Sequence, residues 1–129
     1  MAKRSQPRPT DAELAILNVL WRRGPSTVRE VHAALGKARA TGYTTILKLM
    51  QIMAEKGLVR RDERQRAHVY AARLAEHETQ RQLVGDLLTR AFGGSAAKLV
   101  MHALATKQSS DEELAQIRQL LDEHERGAK

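Results

Sequence analysis

The side chains best suited to specific polar recognition lie in residues 41–66. If residues 41–56 form a helix, with about 100° of rotation per residue, Thr44, Lys48 and Gln51 share one face and apolar residues occupy the other. Hydroxyl, ammonium and amide groups can form hydrogen bonds with base edges and with phosphates. This polar face is therefore a candidate surface for contact with a nucleic acid.

A short β-hairpin with a basic tip is predicted after this helix. Gly57 is expected to end the helix, and residues 58–61 and 67–71 indicate two strands. The turn between them contains Arg64 and Arg66, which can contact phosphates or the minor groove. A helix followed by such a hairpin is typical of a winged helix-turn-helix.

Two readings are open for Tyr43, which lies about 100° from Thr44 around the helix axis. Its ring could contact the sugar-phosphate backbone of a nucleic acid, or it could join the protein core. Arg39, in the turn before the helix, is expected to contact phosphates rather than bases. The full set of predicted DNA contacts is Arg39, Thr41, Tyr43, Thr44, Thr45, Lys48, Gln51, Arg64 and Arg66.

Two further helices are predicted to precede the polar-faced helix of residues 41–56. Residues 1–9 form a basic, proline-containing arm that we expect to be disordered. Thr10 and Glu13 have the spacing of a capping box at the start of the first helix, which Gly24 and the following proline should end. Trp21 is expected to pack in the core, with a ligand platform as the alternative.

The second predicted helix should begin at a hydroxyl cap, either Ser26 or Thr27, and should end at Gly36. Residues 36–40 then form the turn into the polar-faced helix. This turn is longer than the tightest connection of a helix-turn-helix, so we expect a looser form of the motif.

Three amphipathic helices are predicted after the hairpin, over residues 75–92, 95–106 and from Ser110 onward. Their apolar stripes are too extensive to be buried only against one another, which favours a helical interface between two copies of the chain. A helical subdomain folded back onto its own winged helix is the alternative. The predicted dimerisation residues are Leu83, Leu87, Phe92, Leu99, Leu114, Ile117, Leu120 and Leu121.

Charge is distributed unevenly along the chain. Residues 1–75 contain 15 Lys and Arg against 6 Asp and Glu, a net charge of +9, whereas residues 76–129 carry a net charge of −2. This segregation indicates a polyanionic partner for the N-terminal part. A solvated basic surface without a polyanionic partner is the alternative.

Several function classes are disfavoured by composition. The sequence has no cysteine, so thiolate metal sites, disulfides and cysteine catalysis are excluded. The five histidines show no metal-ligand spacing, and no acid-base or nucleophile constellation is present. We therefore expect no metal, no cofactor and no enzymatic activity. The absence of a long apolar run predicts no membrane insertion and a cytoplasmic location.

In sequence the chain resembles the penicillinase-repressor family of BlaI and MecI. No single short block carries the resemblance, but their order and spacing do, over almost the whole chain. The blocks are Asp11-Ala12-Glu13-Leu14 through Leu20-Trp21, Thr27-Val28-Arg29-Glu30-Val31, Tyr43-Thr44-Thr45-Ile46, Lys56-Gly57-Leu58-Val59 and Ala67-His68-Val69-Tyr70.

The resemblance implies a homodimeric bacterial repressor whose N-terminal winged helix binds double-stranded operator DNA of palindromic sequence. It implies a C-terminal region of three helices that dimerises, and regulated genes for β-lactamases or cell-wall functions. It also implies a membrane sensor metalloprotease as a partner. The alternative function is a winged-helix module that binds protein or RNA without reading DNA sequence.

Two departures from the family limit what the resemblance implies. Copper-responsive relatives of CopY type end in a cysteine-rich metal hook, which this chain lacks. In β-lactam-responsive relatives the repressor is cut at an Asn-Phe bond, and this sequence contains no Asn-Phe pair. The equivalent position here is His102 and Ala103, so the route of induction is not implied.

The predicted fold class is mostly α with a small β-hairpin, a winged helix-turn-helix followed by a C-terminal dimerisation region of three helices. The predicted domains are a disordered basic arm at residues 1–9, a DNA-binding winged helix at residues 10–74 and a helical dimerisation domain at residues 75–129.

Overall fold

The computed structural model describes residues 8–39 and 41–127, without the side chains of residues 37–39. The fold is mostly helical with one small sheet, as predicted. Most of the predicted basic arm, residues 1–7, lies outside the described residues. The elements in chain order are α1 (Asp11–Arg23), β1 (Ser26–Thr27), α2 (Val28–Arg39), α3 (Tyr43–Lys56), β2 (Val59–Asp62), β3 (Val69–Ala72), α4 (Glu76–Ala91), α5 (Ala96–Thr106) and α6 (Asp111–Gly127).

The predicted caps of α1 are both present. Thr10 Oγ1 accepts a hydrogen bond from the backbone N–H of Glu13 at 3.2 Å, and Glu13 Oε1 accepts one from the N–H of Thr10 at 2.9 Å. These reciprocal bonds form a capping box. Gly24, at φ 90, ends the helix and donates its N–H to the carbonyl of Leu20 at 2.8 Å.

Thr27, rather than Ser26, caps α2. Thr27 Oγ1 accepts from the N–H of Glu30 at 3.2 Å, and Glu30 Oε1 accepts from the N–H of Thr27 at 2.9 Å. Ser26 is buried, and its hydroxyl donates to the carbonyl of Gly24 at 2.8 Å. At Gly36 the backbone leaves the helical conformation, with φ 62 and ψ −158, and the helix then resumes. The predicted end of the second helix is therefore a kink within α2.

The polar-faced helix was predicted to start at Thr41, which was wrong by two residues. α3 begins at Tyr43, and Gly42 is the N-cap, with its carbonyl accepting from the N–H of Ile46 at 3.1 Å. Thr41 precedes the helix and is half-buried. The predicted end at Gly57 is confirmed, because this residue caps α3 in the left-handed conformation at φ 85.

The predicted hairpin belongs to a three-stranded antiparallel sheet with the order β1-β3-β2. The pairing of β2 with β3 places Arg61 opposite Tyr70. On the other side of β3, Ser26 lies opposite Tyr70 and Thr27 lies opposite Val69. β1 was not predicted because two residues are too few to show the alternation of a strand. This strand places the start of α2 beside the hairpin.

The core of the N-terminal part is aliphatic, with Tyr70 as its one fully buried aromatic residue among those described. Trp21 packs against this core, and its Nε1 donates to the carbonyl of Leu74 at 3.0 Å. Trp21 thus has the expected packing role. The core residues are Ile16, Leu17, Val19, Leu20, Val28, Val31, Ile46, Met50, Met53, Leu58, Val59 and Tyr70.

An ion pair with one buried partner joins α1 to the end of α3. Lys56 Nζ lies 2.7 Å from Glu13 Oε1, and the side chain of Glu13 is 3% exposed against 32% for Lys56. Burial by itself raises the pKa of Glu13. The hydrogen bonds from Lys56 and Thr10 and the charge of Lys56 outweigh this effect, so the pKa of Glu13 is lowered. The pair stabilises the attachment of α3 to α1.

The chain divides into two compact units, Met1–Val84 and Gly85–Lys129, and the division falls inside α4. The predicted functional boundary between residues 74 and 75 stays a prediction. In the second unit, none of the described residues 85–127 is buried. Across both units, the described helices include none with the length and apolar character needed to span a membrane.

Candidate nucleic-acid interface

The outward face of α3 carries four of the nine residues predicted to contact DNA. Thr44, Thr45, Lys48 and Gln51 are all exposed, because the opposite face of the helix is committed to the core. The N-terminus of α3 has no side-chain cap, since its N-cap is Gly42. Backbone N–H groups at an uncapped helix N-terminus can bind a phosphate. This face can therefore present both side-chain and backbone donors to a polyanion.

Tyr43 does not join the core. This residue is 44% exposed, and its ring makes an edge contact with the His32 ring at a centroid separation of 6.2 Å and an interplanar angle of 67°. This T-shaped contact is a favourable aromatic geometry. Of the two readings left open by the sequence, the structure supports the exposed one, in which the phenol is accessible at the start of α3.

In the hairpin turn, one of the two arginines predicted to contact DNA, Arg64, is paired with the carboxylate of Asp62. Arg64 Nη2 donates to Asp62 Oδ2 at 2.7 Å, and Arg64 Nε donates to Oδ1 at 3.0 Å and to Oδ2 at 3.1 Å. The guanidinium of Arg64 holds the pKa of Asp62 at about 2. Arg64 was predicted to be an available cation and this pair was not predicted, although an aspartate at a turn commonly hydrogen-bonds to the backbone two residues ahead.

The remaining arginines of the hairpin differ in their partners. Arg61 Nε lies 2.7 Å from Glu63 Oε2, and its pKa is raised by hydrogen bonding to Tyr70 and by the charge of Glu63. Arg60 and Arg66 are exposed, and among the described residues neither forms an ion pair with a carboxylate. The guanidinium groups of Arg66 and Arg60 are therefore both available to contact a phosphate, as predicted for Arg66.

A groove of about 460 Å³ lies between α3 and the hairpin. It brings together three predicted contact residues, Tyr43, Gln51 and Arg66. It is also lined by Arg29 and His68, which are not among the predicted contact residues. Their proximity depends on the pairing of β1 with β3, for which no local signal exists. The lining residues are Thr27, Val28, Arg29, Tyr43, Leu47, Gln51, Arg61, Arg66, Ala67, His68 and Tyr70.

The other predicted contacts lie outside this groove. Thr44, Thr45 and Lys48 lie on the exposed surface of α3, beyond the groove lining. The side chain of Arg39 lies outside the described part of the structure. Thr41 is half-buried in the segment before α3, which makes it less accessible than the exposed residues of the helix.

Helices α4, α5 and α6 present apolar side chains to solvent in the single chain. Leu87, Leu120 and Leu121 are exposed, Leu120 to 62%. Leu83, Phe92, Leu99, Leu114 and Ile117, the other predicted dimerisation residues, are half-buried. Outside the set of predicted dimerisation residues, the exposed apolar residues of these helices are Val84, Val100, Met101 and Leu104.

The residues predicted to correspond to the bond that is cut in β-lactam-responsive relatives lie within α5. His102 and Ala103 are exposed, and the ring of His102 lies 5.7 Å from that of Phe92. The carbonyl of His102 accepts a hydrogen bond from Thr106 Oγ1 at 2.6 Å. Within the described residues, no group of three or more His, Cys, Asp or Glu side chains could hold a metal ion.

Comparisons with known proteins place this arrangement in a family. The model of the penicillinase repressor family matches residues 9–123. The transcriptional regulator BlaI of Mycobacterium tuberculosis strain H37Rv is 35% identical over 118 residues, which cover 91% of this chain and 85% of that protein. The penicillinase repressor of Bacillus licheniformis is 27% identical over 118 residues and covers 92% of each chain.

A solved structure with a similar fold supports the same assignment. The solution structure of the DNA-binding domain of the repressor BlaI matches this chain with a TM-score of 0.50 and 26% identity. The match covers 57% of this chain and 90% of that domain. Since the family model spans most of the sequence, this chain belongs to the penicillinase repressor family.

Proposed function

We propose that this chain, a DNA-binding transcriptional repressor of the penicillinase repressor family, binds a palindromic operator as a homodimer. The observation that carries this proposal is the combination of two surfaces. The N-terminal unit has an exposed polar helix face beside a basic hairpin, and residues 85–127 have exposed apolar side chains with no buried residue.

In this proposal the outward face of α3 reads base edges in the major groove. Lys48 and Gln51 are long enough to reach base edges, and Thr44 and Thr45 offer hydroxyl groups and methyl groups that suit thymine. The exposed phenol of Tyr43 contacts the sugar-phosphate backbone at the start of the helix. The uncapped N-terminus of α3 receives a phosphate.

The hairpin supplies phosphate or minor-groove contacts. Arg60 and Arg66 are the cations that can meet a phosphate without first leaving a carboxylate. Arg29, at the edge of the groove, extends this cationic surface to the start of α2. Such contacts fix the position of the protein on DNA and carry little sequence information.

Dimerisation is proposed through the C-terminal helices, including Leu87, Leu99, Leu114 and Leu120. Burial of each leucine side chain in an interface contributes about 1.5–3 kcal/mol. Exposed apolar side chains that form a contiguous patch mark an interaction surface. A dimer presents two reading helices to two half-sites, which doubles the base contacts and fixes their spacing.

The proposed repressor acts in the cytoplasm, with the DNA that it binds, and it acts as a regulator without catalysing a reaction. Its release from DNA by proteolysis requires access to the backbone near His102 and Ala103. In α5 this backbone is helical, whereas a protease needs an extended strand, so local unfolding must precede cleavage. Immunoblots of induced cells test the step: a fragment ending near His102 supports a sensor protease, and derepression with intact protein supports another route.

Fluorescence anisotropy with a labelled fragment from upstream of the gene tests the central proposal. The matched control is a fragment of equal length and base composition in scrambled order. We expect tighter binding to the upstream fragment, a steep loss of affinity with salt from released counterions, and one dimer per site. Equal affinity for both fragments would contradict the repressor proposal and favour a module that binds protein or RNA.

A further inference from the structure

Asp62 and Arg64 form a hydrogen-bonded ion pair at the exposed tip of the hairpin. Besides the three bonds of the guanidinium, Asp62 Oδ1 accepts from the backbone N–H of Arg64 at 3.0 Å. The side chain of Arg64 is nevertheless 88% exposed. The arginine is thus held in a defined position by one carboxylate, with solvent on its other sides.

The geometry of this contact is the one that a guanidinium adopts with phosphate. Nε and Nη2 of Arg64 both point at the two oxygens of Asp62. A forked contact of this kind is the arrangement in which arginine binds a phosphate with two parallel hydrogen bonds. A DNA phosphate that uses the same edge of Arg64 must therefore displace the carboxylate, and the displaced charge repels that phosphate.

We propose that Asp62 is an intramolecular competitor for Arg64, which limits the affinity of the hairpin for DNA phosphates. This inference rests on the proposed binding of DNA. Most DNA sites offered to a repressor are unrelated to its operator, and binding to them depends almost entirely on phosphate contacts. A competitor at the hairpin tip therefore reduces the fraction of repressor held on unrelated DNA.

Protonation does not release this competitor under ordinary conditions. The hydrogen bonds from Arg64 hold the pKa of Asp62 at about 2, so the carboxylate stays ionised through the physiological range. Arg64 becomes available only when another anion replaces Asp62. The neighbouring pair of Arg61 and Glu63 differs, because the side chain of Arg61 is only 35% exposed whereas that of Arg64 is 88% exposed.

The substitution Asp62→Asn tests the proposal with little change in shape. The amide Oδ1 of asparagine can still accept from the N–H of Arg64, so the turn should keep its conformation. A dimer contains two of these exposed Asp62–Arg64 pairs. Loss of both in Asp62→Asn should raise the affinity for DNA by about two- to thirtyfold at low salt. The gain should apply to the upstream fragment and to the scrambled fragment alike.

Salt provides an independent measure of the same effect. If Arg64 of each protomer gains one phosphate, the slope of log affinity against log salt should steepen by about 1.8 per dimer. The advantage of Asp62→Asn over the wild type should then diminish steadily as the salt concentration rises. A change in folding alone would not produce this dependence.

A double-mutant cycle identifies the residue through which Asp62 acts. In an Arg64→Ala background the gain from Asp62→Asn should be lost, and Glu63→Gln in the wild-type background should give a smaller gain. Persistence of the full gain without Arg64 would overturn the proposal, because it would assign the effect to net charge. Wild-type binding to the upstream fragment with no gain in Asp62→Asn would overturn the inference alone, whereas a wild type that binds neither fragment would overturn both.

Discussion

Replacing Lys56 by methionine should destabilise the N-terminal unit far more than the loss of an exposed charge. Methionine retains much of the length and apolar character of the lysine stem, so the main loss is the ammonium group. Glu13 then remains almost fully buried, with the N–H of Thr10 at 2.9 Å still available as a donor. Its negative charge, however, no longer has a partner.

The expected magnitude follows from this burial. Removing one partner of a buried ion pair costs about 3–5 kcal/mol, because the other charge stays buried without compensation. Lys56 is partly exposed, which weakens the pair, so we expect a loss of about 3 kcal/mol in the free energy of unfolding. Glu13→Gln keeps an oxygen acceptor for both donors and should cost about 1 kcal/mol.

The pH dependence gives this prediction a definite sign. The pKa of Glu13 is lower in the folded protein than its ordinary value of 4.5. The ion pair therefore stabilises the fold above that value, and the contribution is lost as the pH falls through the folded pKa. Without Lys56, burial should raise the pKa of Glu13. The stability difference between wild type and Lys56→Met should be largest near neutral pH and should shrink in acid.

Urea unfolding at neutral and acid pH, followed by circular dichroism and by fluorescence of Trp21, measures this difference. Trp21 is the only tryptophan of the sequence and packs against the same core. The matched control is Lys48→Met on the exposed face of the same helix, which should change stability by less than about 0.5 kcal/mol. Equal stability of the two variants at neutral pH, or a deficit that grows in acid, would refute the reasoning.

Three other predictions concern the backbone, the assembly and the DNA interface. Gly85→Ala inside α4 should stabilise the protein by about 0.5–1 kcal/mol, since an added Cβ meets no atom within 4 Å, whereas Gly57→Ala at φ 85 should destabilise it; thermal unfolding measures both. Leu120→Glu should give monomers in light scattering, because the interface would have to desolvate a charge, and a monomeric wild type would remove the basis for this. Lys48→Ala should reduce discrimination between upstream and scrambled DNA by about 1–3 kcal/mol, whereas Arg66→Ala should weaken both complexes equally. Anisotropy titrations measure these effects, and an equal loss on both DNAs in Lys48→Ala would assign that lysine to phosphate.

Features that depend on neighbouring residues were readable from the sequence. The capping box of Thr10 and Glu13 and the left-handed Gly57 each need only a few adjacent residues, and both are present as predicted. The outward position of Lys48 follows from helical periodicity. The start of α3 was placed two residues too early, at Thr41, whereas Gly42 is the N-cap and the helix begins at Tyr43.

Features that depend on distant residues were not readable. Glu13 was assigned only to the cap of α1, and its pairing with Lys56 depends on how α1 crosses α3. β1 exists because Ser26 and Thr27 meet β3, and two residues carry no strand pattern of their own. The groove that includes Arg29 and His68 follows from that pairing. No periodicity within one element could have located it.

The two kinds of proposed DNA contact differ in how firmly the fold holds them. α3 is fixed along its inner face by Ile46, Met50 and Met53, and its last residue is tied to α1 by the ion pair with Glu13. Side chains that read base edges need such a rigid support, because hydrogen bonds to bases tolerate little displacement. The exposed hairpin tip has no comparable core beneath it. Contacts with phosphates do not need such a support, and at this tip the proposed competitor, a carboxylate of the turn, already holds an arginine.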